Sequence, residues 1–380
     1  MHSRMSDTHF PRIRVQGDPK QRGLQYGRQA ASYIAISLNA YQKIFRYYTD
    51  LEWPQVQAFA RPFIEPIAAF RPRLIEEMQA IAQGAGVDFV DILAINIRTE
   101  LINRALAQGA AMECTAMLAL PAATDKGHTF LGQNWDWKPQ TAGSMVLLEG
   151  QDQSGLSYIT LVEAGLLAKA GMNSAGIGLV TNALTSELDL GEPGIPYHVL
   201  LRAILESKDL MEARQAIESA RRASSANYLV ADRPGTSFNI EAAPGGDELT
   251  FTQVPKHGRY AHTNHFRCAG RMFQDVGLEK GPDSPVRLER IQTALPQGGK
   301  KLTISDFQDA FRDHYNYPFS VCSHPDTTKP IAEQYASLAS IIMDLETATI
   351  WLAKGHPCQA EYYKLEYADF FGWQAMADQD

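Results

Sequence analysis

From Asp18-Pro19 to about Asp50, apolar residues return at helical spacing, at Leu24, Ile34, Leu38, Tyr41, Ile44 and Phe45, with glycine rare. That spacing predicts one long amphipathic helix, with Asp-Pro as its start signal. Two more helical patterns follow, one from about Trp53 to Gln83 with an interruption at Pro62 to Pro66, the other from Phe89 to Ala107. The first third of the chain therefore reads as mostly helical. Met1 to Pro11 is polar and is expected to be a short disordered lead-in.

At Ala111 the pattern changes. Short β-rich runs now alternate with Gly, Asn, Asp and Pro, as in Thr129 to Gly132, Tyr158 to Val162 and Gly176 to Val180, and these predict strands, several joined by hairpins. Helical spacing returns at Pro196 to Ser207 and Asp209 to Ala220. Strands are expected near Asn227 to Val230, Phe238 to Glu241 and Tyr260 to Thr263, then helices at Pro285 to Ala294 and Ser305 to Arg312. Two late strands, Ser337 to Asp344 and Thr347 to Leu352, flank a turn at Leu345-Glu346. Strand runs bracketing helix runs indicate a layered α+β domain, and no repeat period indicates a solenoid.

A chain of 380 residues that is 45% hydrophobic can bury a large core, which excludes intrinsic disorder. The formal charge of -8 arises from acids and bases mixed along the whole length, so no nucleic-acid surface is expected. No apolar stretch reaches membrane-spanning length without a charge or a turn residue, and no membrane partner is expected. Four cysteines, Cys114, Cys268, Cys322 and Cys358, are too sparse for a disulfide scaffold and match no CxxC zinc spacing, so reduced thiols in a cytoplasm are the expectation.

Cys114 stands at the seam between the helical third and the β-rich remainder. An isolated cysteine is by default a small buried apolar residue. The functional alternative is a nucleophile, and a thiol attacking an amide needs a base. The free amine of an N-terminal residue, with a pKa of roughly 7.7 to 8.0, is such a base. Cleavage between Glu113 and Cys114 would create nucleophile and base together. Gly132-Gln133-Asn134-Trp135-Asp136-Trp137 is either a polar turn between core tryptophans or a site in which Asp136 orients the Cys114 amine and Asn134 adds a polar contact. In His262-Thr263-Asn264-His265 the two histidines lack a third ligand at a recognisable spacing and HExxH is absent, so no metal is expected there or elsewhere. The Asn264 amide is instead a suitable oxyanion donor. The Gly171 to Gly176 segment lacks the Lys-Ser/Thr of a phosphate loop, Asn182 either points into a pocket or caps a turn, and no G-x-S-x-G elbow occurs.

Taken in order, Glu113-Cys114-Thr115, Gly132 to Asp136, Glu163-Ala164-Gly165, Gly171 to Gly178, Asn182-Ala183-Leu184, His262 to His265 and Asn316-Tyr317-Pro318-Phe319-Ser320 resemble one family. It is the acyl-CoA:6-aminopenicillanic acid acyltransferase family of N-terminal-nucleophile hydrolases. The resemblance implies an αββα sandwich of two stacked, largely antiparallel sheets with a helical N-terminal segment. It implies autocatalytic cleavage before the cysteine, giving residues 1–113 as a small subunit and 114–380 as the catalytic core, two chains that stay associated. Cys114 would be the nucleophile, Asp136 the aspartate of the Asn-Trp-Asp block and Asn264 the oxyanion donor, with Thr115, Asn134, Asn182, His262 and Ser320 around the substrate. The family's penicillin-forming enzyme carries Gly where this chain has Glu113, and Arg where it has Ser323.

The expected activity is hydrolysis of a small amide, an N-acyl amine or a β-alanyl amine, through a Cys114 thioester, with no cofactor. Acyl transfer to an amine is the close alternative; a CoA thioester as acyl source is not indicated by any phosphate-cradling loop. The alternative of another class is an uncut binding protein in which Glu113 blocks cleavage.

Overall fold

The computed structural model describes residues 8–106, 114–270, 272–295 and 299–373. Glu113 and Ala107 lie outside the described residues. The chain opens with strand β1 (Arg12–Gln16) and continues through helices α1 (Pro19–Thr49), α2 (Trp53–Ala60), α3 (Ile64–Phe70), α4 (Pro72–Ala85), α5 (Phe89–Asn96) and α6 (Arg98–Leu106). Strands β2 (Cys114–Ala119), β3 (Phe130–Trp137), β4 (Met145–Gln151), β5 (Ser157–Glu163), β6 (Ala170–Asn173) and β7 (Ile177–Ala183) follow. Helices α7 (Tyr197–Leu205) and α8 (Leu210–Glu218) precede β8 (Ala226–Asp232), β9 (Ser237–Ala242), β10 (Thr250–Gln253) and β11 (Arg259–His262). The last elements are α9 (Val276–Lys280), α10 (Ser284–Ala294), α11 (Ile304–Phe311), β12 (Ala336–Asp344), β13 (Thr349–Lys354) and β14 (Tyr363–Glu366).

The strands form an eight-stranded sheet, β1-β4-β5-β6-β7-β8-β9-β10, and a six-stranded sheet, β11-β2-β3-β12-β13-β14. Among the described residues, the named strands pair antiparallel except β1 with β4. The sheets meet face to face, with β2 and β3 against β7. Helices α1, α7 and α8 pack on the larger sheet and α10 and α11 on the smaller, which is the expected αββα sandwich.

Side-chain alternation divides the smaller sheet cleanly. Ala116, Leu118, Leu131, Trp135 and Trp137 join the large core between the sheets. Met117, Ala119 and Phe130 join a separate cluster beneath α10 and α11, with Leu288, Ile291, Phe307 and Phe311. Gly132 faces that second layer, where a Cβ would come within 2.9 Å of the Phe311 ring.

Three expectations need correction. The N-terminal segment is not only helical, because β1 adds an edge strand: Ile13 and Val15 are buried while Arg12 and Arg14 turn outward to Glu149, at 2.5 and 2.8 Å. The alternation Arg-Ile-Arg-Val was visible in the sequence. Strand β4 was also missed, since a run buried on both faces carries no period of two to distinguish it from a helix. Over Trp53 to Gln83 the expected interruption is a 3-10 turn at Arg61–Phe63, but a second, unexpected break falls at Arg71, and the helix predicted from Phe89 to Ala107 breaks at Ile97.

The segment before Cys114 is tied to the core by buried charge. Glu77 on α4 accepts from Arg22 of α1 at 2.6 Å and from Arg202 of α7 at 2.8 Å, all three side chains being buried. Tyr41 of α1 and Arg98 of α6 both reach Glu163 of β5, at 2.9 and 3.1 Å. Removing one member of such a buried cluster strands its partners' charge. Glu77→Ala is therefore expected to destabilise the protein by about 3 to 5 kcal/mol, read as a fall in the urea midpoint; an unchanged midpoint would show that the cluster contributes nothing.

Candidate active site

Cys114 is the first residue of β2 and pairs with Trp135 on β3. Its thiol faces the other sheet, in a small, largely enclosed cavity lined by Arg98, Thr99, Trp135, Trp137, Lys169, Ala183 and Tyr197. Arg98 and Thr99 come from α6, so the segment before Cys114 forms part of the cavity wall. The Cys114 N–H donates to Asn264 Oδ1 at 2.5 Å, and Sγ lies 3.9 Å from the Asp136 carbonyl oxygen.

The main chain of Cys114 is held from several sides. Its carbonyl accepts from Arg287 Nη1 at 3.0 Å and from Asn182 Nδ2 at 3.1 Å. Arg287, on α10, also donates to Thr115 Oγ1 at 3.2 Å and to Asn264 Oδ1 at 3.2 Å, and its Nε pairs with Asp283 at 2.7 Å. Asn264 Nδ2 donates in turn to the Ala183 carbonyl at 2.9 Å. With two donors on its oxygen and an acceptor on its nitrogen, the Asn264 amide has a defined orientation.

Asp136 lies on the α10 side of β3. Its Oδ1 accepts from Ser337 Oγ at 2.5 Å, and Oδ2 is buried with no hydrogen-bond partner among the described residues. The register of β12 shifts between Ser337 and Ala339, a bulge that sets Ser337 directly opposite Asp136. Burial pushes the Asp136 carboxyl up from 3.8 to about 6, against the opposing effects of Arg287 and the Ser337 hydroxyl. Burial likewise raises the Cys114 thiol above its ordinary value, with Lys169 the main opposing charge. Lys169 itself is lowered to about 8 by burial, although the nearby thiol favours its charged form. Its ammonium donates to Tyr197 OH at 3.1 Å and sits 5.4 Å from the centre of the Trp135 ring.

The structure thus gathers Cys114, Asp136, Asn264, Asn182 and Thr115 around one strand end, but it does not place all of the expected pocket residues at the thiol. Thr115 and Asn134 point to the opposite face from Cys114 by strand alternation, and Asn134 Nδ2 donates to the Phe311 and Val321 carbonyls at 2.9 and 2.8 Å. His262 is buried against Glu241, Nε2 to Oε1 at 2.9 Å, and Ser320 donates to the Cys322 carbonyl at 2.7 Å within its own loop. Asn182 touches the Cys114 carbonyl rather than the cavity. Asp136 meets Cys114 through its backbone, while its carboxylate turns to Ser337.

Sequence reasoning missed Lys169, Ser337, Arg98 and Arg287. An arginine on a helix carries no local signal of a role, and no local pattern marks a lysine or a serine in a strand-rich run as functional. A much wider surface cleft, lined by Val254, Lys256, Arg259, Tyr260 and Arg267, includes none of the residues around Cys114.

Two face-to-face sheets between helical layers, with a buried thiol on the first residue of an inner strand, make this an αββα sandwich. The chain belongs to the acyl-coenzyme A:6-aminopenicillanic acid acyl-transferase family, whose model matches residues 123–359, well over half of its length. It is 29% identical over 312 residues to the acyl-coenzyme A:6-aminopenicillanic-acid-acyltransferase 40 kDa form of Emericella nidulans, covering 82% of this chain and 84% of that protein. Similar solved structures include a Caenorhabditis elegans ortholog of N-acylethanolamine-hydrolyzing acid amidase, at TM-score 0.44 and 14% identity, covering 61% of this chain and 93% of that one. A mutant of conjugated bile acid hydrolase from Clostridium perfringens has TM-score 0.43 and 13% identity, covering 70% of this chain and 100% of that one.

A carboxyl group whose pKa is raised by folding does not penalise the folded state below its unfolded value of 3.8, and penalises it in full above about 6. Asp136→Asn is therefore expected to gain stability relative to the wild type between about pH 4 and about pH 7. Urea titrations at the two pH values check this; a difference that does not grow with pH would mean that Asp136 does not titrate in this range.

Proposed function

We propose that the chain cuts itself between Glu113 and Cys114 and then works as a cysteine amidohydrolase on a small amide, an N-acyl amine or a β-alanyl amine. The observation that carries this is the placement of Cys114: it begins an inner strand, its nitrogen is held by Asn264, and its thiol faces an enclosed cavity. A thiol raised by burial is protonated at neutral pH and needs a base beside it. Cleavage supplies one, the freed amine of Cys114 itself.

In maturation, Sγ attacks the Glu113 carbonyl carbon, the C–N bond to Cys114 breaks, and its nitrogen takes up the thiol proton to become the free amine. Water then hydrolyses the resulting thioester, leaving Glu113 with a carboxylate and Cys114 with a free thiol. In turnover the amine accepts the thiol proton as sulfur adds to the substrate carbonyl, and returns it to the departing amine. Water, deprotonated by the same amine, releases the acid from the Cys114 thioester. Asn264 has one N–H on the Ala183 carbonyl, and we assign its second N–H to the oxyanion formed in both steps. Asp136, ionised above about pH 6, supplies the negative charge that favours the ammonium form of the amine.

Residues 1–113 remain bound after cleavage as the small subunit, because the Glu77 and Glu163 clusters and the paired β1 strand hold them without the covalent link. Acyl transfer is the variant supported by the 29% identity to an acyltransferase: an amine in place of water would take the acyl group from the same thioester, with an acyl-CoA as one candidate source.

Intact-mass spectrometry should show two fragments meeting at Glu113 and Cys114 in the wild type and in Cys268→Ala, and one uncut chain in Cys114→Ala, which should also be inactive. A single uncut chain in the wild type would overturn the proposal in favour of an uncut binding protein. For Asn264→Ala, kcat/KM on an accepted amide should fall roughly 10²- to 10³-fold; near-wild-type turnover would remove Asn264 from the oxyanion site.

A further inference from the structure

Away from Cys114, the loop that follows α11 and the connection from β13 to β14 bring two thiols and two imidazoles to a single point. His314, Cys322 and His324 come from the first and Cys358 from the second. The four donor atoms all lie within 4.8 Å of one another. His324 Nε2 is 3.1 Å from His314 Nε2, 3.6 Å from Cys322 Sγ and 3.4 Å from Cys358 Sγ.

Hydrogen bonding does not account for this convergence. A ring nitrogen carries one lone pair or one proton, and His324 Nε2 faces three heteroatoms at once. A tetrahedral ion accounts for all of them. With Zn–N near 2.0 to 2.1 Å and Zn–S near 2.3 Å, the edges of a tetrahedron are about 3.3 Å between nitrogens and about 3.6 Å from nitrogen to sulfur. The three separations from His324 Nε2 fit those edges closely, and the remaining donor pairs lie within 4.8 Å.

We propose that His314, Cys322, His324 and Cys358 form a structural zinc site. Two thiolates and two imidazoles are the donor set that suits zinc among the common metals. Four protein ligands complete the tetrahedron and leave no position for substrate or water, so the site holds structure and does no chemistry. No linear pattern announces it, because the ligands are a Cys-x-His pair, a histidine before it and a cysteine from a distant hairpin. The sequence-based expectation of no metal came from searching for local spacing, and this site has none.

The neighbours of the cluster show what the ion would hold. The His356 ring stacks on His324 with centroids 4.1 Å apart, and its Nδ1 is 3.1 Å from the Ser323 carbonyl oxygen. Ser323, between the two ligands of the Cys-x-His pair, donates its N–H to Ser337 Oγ at 2.9 Å and accepts from the Ser337 N–H at 3.0 Å. Ser337 Oγ donates to Asp136 Oδ1. The zinc thus fixes the loop that sets Ser337 and, through it, the carboxylate near Cys114. The site itself does not depend on how Cys114 is processed.

The test is metal analysis of the purified full-length chain, grown with zinc and desalted under reducing conditions. About one zinc per chain is expected in the wild type and in Cys268→Ser, and almost none in Cys322→Ser or Cys358→Ser. Cobalt taken up by metal-stripped wild type should give thiolate-to-metal charge-transfer bands and the intense visible bands of a tetrahedral site. This readout needs no variant and therefore survives any folding failure among the mutants. Zinc-free wild type that also shows no cobalt bands would overturn the proposal. So would an intact mass short of two hydrogens that returns on reduction, which would identify Cys322 and Cys358 as a disulfide pair.

Discussion

The arrangement around Cys114 depends on the register of β2 against β3. Because successive side chains in a strand point to opposite faces, pairing Cys114 with Trp135 sends the thiol toward the larger sheet and sends Thr115, Asn134 and Asp136 toward α10 and α11. A slip of β2 by one residue would move Cys114 under the helices and bring Thr115 into the core between the sheets. The register is held on both faces: Trp135 and Trp137 fill the space between the sheets, and Met117, Ala119 and Phe130 fill the layer beneath α10 and α11. Few local changes could move the thiol without disrupting two cores at once.

The second constraint is electrostatic. The cavity at Cys114 is lined by Lys169 and Arg98, whose charges are buried and need compensation. Arg98 finds it in Glu163 and in the face of Trp137, 4.4 Å away; Lys169 has the Tyr197 hydroxyl and two aromatic rings. Positive charge there favours an anionic sulfur or oxyanion, while burial alone opposes it. On the other face of β3, Arg287 ties together Cys114, Thr115, Asn264 and Asp283, so one guanidinium ties the strand end to α10 and to the loop after β11.

The same charges join the part of the chain before Cys114 to the part after it. Arg22 and Glu77 lie before it and Arg202 after; Tyr41 and Arg98 lie before it and Glu163 after. Such clusters contribute little net stability relative to apolar packing, yet breaking one is costly, so they act as specific locks between the two parts. On the far side of Asp136, Ser337 and Ser323 connect the carboxylate to the loop carrying Cys322 and His324, so the two thiol-bearing regions share a short hydrogen-bonded path.

The sequence alone determined the elements with a strong period and a clear boundary. Helix α1 starts at its Asp18 cap and runs to Thr49 as its apolar spacing required, and most of the predicted strands and late helices lie within a few residues of where they were expected. It also marked Cys114 as the seam between helical and β-rich parts, because composition changes there. Strand β4 was not separated from a helix by its apolar run, and β1, which follows directly on the polar lead-in, was passed over despite its short alternation. The partnership of Asp136 with Ser337, the approach of Lys169 to Cys114, the grip of Arg287 and the convergence of His314, Cys322, His324 and Cys358 were decided only by tertiary structure. Each joins residues far apart in the chain through strand register, a bulge or the crossing of two loops, and local periodicity carries no information about which distant residue will face which. Helix and strand are written in spacings of a few residues, whereas a buried polar site is specified by which surfaces pack against one another.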